Sequence, residues 1–228
     1  MTENPITSET KPAEYPQTER TMARRHRERI SYDVDKVHAL LDEVFYCNAV
    51  IAGAQHGPMA IPLFHARVGE TLYMHGSTGA GSFLNSRNGK VSASVTATSI
   101  DGLVYSRSWF HHSANYRSVV AFGDAELIED LDEKWDAFAA LVDRLGQGRS
   151  QDSRPPSKKE LAQTSVLKMP LEAVSYKERN AGVGENPDDL SLPHWAGVVP
   201  LHVRLGLPQP APGVTVKAPV YVSELLNN

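Results

Sequence analysis

From residue 46 to residue 128 the chain is a succession of short apolar segments parted by turn residues, with almost no helical spacing among them. "NAVIAGA" is followed by the turn-like "QHGP", then by "MAIPLFHARV", the turn "GE" and "TLYMHGS". These three segments have the length and residue types of strands in a meander. "KVSASVTATS" alternates as a fourth strand, "IDG" turns, and "LVYSRSWF" and "YRSVVAFGDAELI" give two more. "VLKMPLEAVSYKER" and "WAGVVPLHVRLGL" read as further strands. Strands that do not alternate with helices argue against a parallel sheet. The expected fold is mainly β with a few helices, a small antiparallel barrel.

The helices are few and amphipathic. Asp33 offers an N-cap to a stripe of Val34, Val37, Leu40, Leu41 and Val44 at helical spacing. Trp135, Phe138, Leu141, Val142 and Leu145 mark a second, "TGAGSFLNSRN" a short one entered through glycines, and Glu160 a helical turn. Residues 1–18 lack periodicity and are rich in Pro, Thr and Glu, which predicts a mobile tail. Residues 19–214 then form one domain, and residues 215–228 a C-terminal extension.

A net charge of −4 gives no general electrostatic reason to expect nucleic acid or an anionic membrane as partner. The single cysteine, Cys47, excludes an internal disulfide and any multi-cysteine metal site, and its apolar neighbours predict a buried, inert thiol. The sequence has no apolar run of the roughly 18 residues that span a bilayer, and its first thirty residues contain no signal-like stretch. A cytoplasmic protein is expected.

Three clusters carry chemistry. In "LYMHGSTGAGSFLN", His75, Gly76, Ser77, Thr78, Gly79, Ala80, Gly81 and Ser82 form a row of small and polar residues between a strand and a helix. Backbone N–H groups and hydroxyls there suit an anion, although such a loop also simply turns a corner. In "SRSWFHHSANYRSV", Arg107 and Arg117 are candidates for charge-assisted bonds to a phosphate. His111 and His112 are a poor metal pair, because strand neighbours point to opposite faces. Ser113 lacks the G-x-S-x-G elbow of a serine nucleophile. In "LPHWAGVVPLHV", Trp195 either plugs a core or stacks beside a flat ring.

In this order the clusters resemble the pyridoxamine 5′-phosphate oxidase-like family of FMN-binding split barrels. The likeness is nearest to its flavin-nucleotide-binding branch, which is related to nitroimidazole reductases. It covers roughly residues 20–208 and rests on "LYMHGS", "DGLVYSRSWFHHSANYRSVVAFGDA" and "WAGVVPL". The resemblance implies a six-stranded split barrel that forms a homodimer, with FMN in the subunit interface. It places Ile61, Pro62, Leu63 and Phe64 along the flavin ring and His75, Gly76, Ser77 and Thr78 at the ribityl phosphate. Arg117 and Ser118 fall where the oxidase has an arginine–glutamine pair, and Trp195 falls beside the flavin. The oxidase's basic pair after the loop is replaced by Ala80 and Gly81, so Arg107, Arg117 or a partner's arginine must meet the phosphate charge. Its substrate-reading helix is matched by Arg144, Arg149 and Ser150 without the tyrosine, which argues for a different small-molecule substrate. The implied function is an FMN-dependent oxidoreductase with His75 nearest the substrate, or with His75 merely bonding across strands. The alternatives are a nitroaromatic reductase, or a carrier of flavin or haem without turnover, with histidines 65, 75, 111 and 112 available to haem.

Overall fold

The computed structural model describes residues 13–52, 59–77 and 89–225. Nine strands form one sheet: β1 Ile30–Ser31, β2 Tyr46–Ile51, β3 Met59–Val68, β4 Thr71–Ser77, β5 Val91–Tyr105, β6 Ser113–Leu127, β7 Thr164–Pro170, β8 Ala173–Arg179 and β9 Gly197–Pro200. Their order is β1-β8-β6-β7-β4-β3-β2-β5-β9, and β6 also pairs with β5. That extra pairing closes β6, β7, β4, β3, β2 and β5 into a ring of six strands, every neighbouring pair antiparallel. The expected barrel is therefore present, with β8, β1 and β9 added outside the ring.

Helix α1, Val34–Glu43, starts where the Asp33 carboxylate accepts from the N–H groups of Asp35 and Lys36 at 2.8 and 3.1 Å. Its Val34, Val37, Leu40 and Leu41 are buried and join the barrel core of Leu72, Met74, Val95, Leu167 and Met169. Each such side chain contributes about 1.5–3 kcal/mol. At its other end the Arg144 guanidinium donates to the carbonyls of Asp42 and Val44 at 2.6 and 2.8 Å. A cation at a helix C-terminus also meets the negative end of the helix dipole. Helix α2, Leu131–Asp143, lays Ala137 and Leu141 on the outside of β3, β4 and β7. Trp135 and Leu145 of the expected stripe stay 43% and 54% exposed, and Leu145 lies beyond the helix end. Helix α3, Lys158–Gln163, has a full capping box between Ser157 and Glu160. A last short helix, α4, spans Val220–Glu224.

Several sequence boundaries move. "IDG" does not turn: β5 runs through it to Tyr105 with a bulge between Ile100 and Gly102, and the hairpin turns at residues 106–112. The segment expected to be one strand after residue 165 breaks at Pro170 into β7 and β8. The last strand ends at Pro200. Order also begins earlier than residue 19. Tyr15 is 4% exposed, and its hydroxyl donates to Glu70 at 2.6 Å and lies 3.1 Å from His38 Nε2. The expected helix after residue 77 lies outside the described residues.

Candidate functional site: an opening between two strands

β3 changes partners along its length. Met59–Phe64 pair with β2, whereas His65–Val68 pair with Thr71–Met74 of β4. Beyond the His65–Met74 pair the two strands part, and β4 continues as His75–Ser77 against β7 alone. Among the described residues the β4-side edge of Met59–Phe64 therefore has no strand partner, and the two strands part into an opening whose other lip is His75, Gly76 and Ser77. Ile61, Pro62, Leu63 and Phe64 thus stand on one lip, and three of the four residues expected at the phosphate stand on the other. Thr78 lies outside the described residues, as do Gly79 to Ser82.

Strand alternation divides these side chains. Leu63 packs inward on the barrel core, while Phe64 packs outward with Phe138 and Tyr73 of the second apolar cluster. His75 also leaves on the outward side, with its ring edge-on to Phe138 at 6.1 Å. Its Nδ1 is enclosed yet has no hydrogen-bond partner, and burial pushes its pKa below the ordinary histidine value. The opening is thus flanked by a neutral imidazole with an orphaned ring nitrogen. Among the described residues no hydrogen bond across strands is made by His75 Nδ1. Beside it, Phe45 stacks on Phe64 with planes 6° apart, and Arg144 covers Phe45.

His65 differs. It is fully buried, Nε2 donates to the Leu41 carbonyl at 2.9 Å, and desolvation holds it neutral. A bound group has no access to it.

The remaining expected residues lie elsewhere. The order β3-β2-β5-β6 puts Arg117 and Ser118 three strands from β3, on the opposite side of the six-stranded ring. Both hairpin arginines are engaged by carboxylates. The Arg117 guanidinium donates to Glu43 at 2.5 and 2.8 Å and to Asp101 at 2.8 and 3.0 Å, and the bonds from Arg117 hold the Asp101 carboxyl below its usual range. Glu185 receives the Arg107 main-chain N–H at 2.8 Å and the Arg107 guanidinium, which together lower its pKa. Arg144 caps α1, and Arg149 donates to the Tyr221 hydroxyl at 3.0 Å. Sequence reasoning did not anticipate Glu43, Asp101 or Glu185 as partners, because no local pattern links them to arginines up to 78 residues away. At the hairpin turn Trp109 and Phe110 are 96% and 90% exposed. His65 Nδ1 and His111 Nε2 are, with His75 Nδ1, the enclosed ring nitrogens without a partner among the described residues. Trp195 is 66% exposed and packs on Tyr105 at 5.7 Å, so it is not a core plug.

Among the described residues no group of three or more His, Cys, Asp or Glu side chains is placed to hold a metal ion, and no helix is long and apolar enough to cross a membrane. A six-stranded ring opened between two strands is the architecture of split-barrel flavoproteins. The pyridoxamine 5′-phosphate oxidase family model matches residues 33–178, and the chain belongs to that family. A flavocytochrome from Azotobacter vinelandii is 30% identical, with a TM-score of 0.83 over 91% of this chain and 96% of its own. A FAD- and haem-binding protein from Mycobacterium smegmatis is 33% identical, with a TM-score of 0.80 over 87% of this chain and 97% of its own. No curated protein matches the chain.

Proposed function

We propose that this protein is a redox protein that binds a flavin nucleotide at the β3/β4 opening and a haem beside it. One observation carries the reading: two relatives at 30% and 33% identity, each matched over nearly its whole length, combine a flavin with a haem or cytochrome. In this reading haem joins the flavin instead of replacing it. The relatives make FAD as good a candidate as FMN. When bound, the flavin accepts electrons in pairs and the haem passes them singly.

The chain's own residues fit both groups. The open edge of Met59–Phe64 offers main-chain donors and acceptors to a flavin ring, and Gly76 and Ser77 begin the phosphate loop. Phe64 and Phe138 exclude water from one side. A neutral imidazole is the form that ligates a metal, and His75 is neutral, part-exposed and without a hydrogen bond on Nδ1. We assign it as the haem-facing residue; His111 is the second candidate. We also propose a homodimer. Ser118 and Trp195 lie away from the opening of their own subunit, so only a second subunit brings them to a flavin. Turnover of a small molecule by oxidoreduction, in the cytosol, completes the proposal.

The test is the spectrum and mass of what copurifies. Expected are flavin bands near ~450 nm together with a Soret band, and a released nucleotide with the mass of FAD or FMN. In His75→Ala the Soret band should fall at least tenfold while flavin stays bound. A wild-type protein with flavin and no haem after reconstitution with haemin would leave a simple flavoprotein.

A further inference from the structure

Between β9 and α4 the chain runs as a long exposed segment. Every residue from Val198 to Ala218 is exposed. Val203, Leu207 and Val216 are 95%, 83% and 80% exposed, and Leu201, Leu205 and Val214 are 41% to 51% exposed. The segment is nevertheless tied at both ends. Leu201 N donates to the Asp101 carbonyl at 3.0 Å, and beyond the segment Tyr221 of α4 seats its ring against Gly146. The Tyr221 hydroxyl donates to Asp152 at 2.7 Å.

Its composition is not that of a solvated loop. The chain is 22% charged, yet between Val198 and Val216 Arg204 alone carries a charge. Pro200, Pro208, Pro210 and Pro212 stiffen it in an extended form, so little entropy remains to be lost on covering it. Apolar content with depleted charge is the composition of an interface core. A stable interface takes about 20–30 residues and ~800 Å² from each partner, and the strap together with β9 and exposed Trp195 before it reaches that length.

We infer that residues 201–218 form a strap that lies across a second copy of this chain. The inference rests on the homodimer proposed above and names the element that holds it together. An apolar strap anchored at both ends needs a partner present whenever the protein is folded, and another copy meets that condition at once. Two straps related by a two-fold axis also make a closed pair, which leaves neither of them free to aggregate.

Two measurements on the full-length protein test this. Val203→Cys places one reactive thiol on the strap, because native Cys47 is fully buried with a pKa pushed up to about 12. In the native protein, maleimide labelling of position 203 should run at least tenfold slower than after urea unfolding. Light scattering should give twice 25.0 kDa for wild type and 25.0 kDa for the Leu207→Asp/Val216→Asp variant. A wild-type dimer whose position 203 reacts at the unfolded rate overturns the strap and leaves the dimer standing. A wild-type monomer overturns both. The labelling needs no disruptive substitution, so a double variant that fails to fold does not decide the matter.

Discussion

Among the described residues His65 and His75 are kept uncharged by burial, and the sign of the pH effect follows. The unfolded chain protonates His65 and His75 near the ordinary value of about 6.5, whereas the folded form resists. Stability is therefore full above that pH and is lost as pH falls toward the lower folded values. Each tenfold difference in proton affinity between the two forms is worth about 1.4 kcal/mol. Urea midpoints measured from pH 7 to pH 5 should fall, and His65→Met should flatten the fall. Arg117 has a structural load that its sequence context hid. Removing it leaves Glu43 and Asp101 without their shared cation, so Arg117→Ala should cost about 1 kcal/mol in urea unfolding. Asp101→Asn should recover part of that loss. An unchanged midpoint in the single variant would release Arg117 for a role toward ligand.

At the scale of elements, β3 and β4 were legible to the residue. Both are bounded by clear turn signals, and Gly69 supplies the positive φ of 56° that their hairpin needs. β5 was not legible as one strand. Asp101-Gly102 reads as a turn locally, but β6 and β9 pair on either side of it and turn the irregularity into a bulge. "WAGVVPLHVRLGL" reads as one strand, but only Gly197–Pro200 finds a partner, in β5, and among the described residues no strand of its own subunit pairs with residues 201–207. The site was legible only as two lips, because the carboxylates that occupy Arg107 and Arg117 meet them through tertiary folding. Gly197 belongs to this scale as well. A Cβ there would stand 2.7 Å from the Trp195 ring, so Gly197→Ala should swing the indole off Tyr105. Tryptophan emission at a fixed flavin content reads that change, and an unaltered spectrum would mean that the ring yields in place.

For the whole molecule, the ring of six strands depends on β7, which pairs with β4 on one edge and β6 on the other. Its residues 164–170 sit nearly three-quarters of the way along the chain. During synthesis the meander from β2 to β6 must therefore wait, with the edges of β4 and β6 unsealed, until that last stave leaves the ribosome. Pairing across such sequence distance is slow, and exposed edges in the interval invite pairing with other chains. A chain ended at residue 163 should then accumulate as aggregate, whereas one ended at residue 180 should give a closed ring with native-like far-UV dichroism. The fold thus sets a period of vulnerability during translation, and its length is fixed by where one seven-residue strand stands in the gene product.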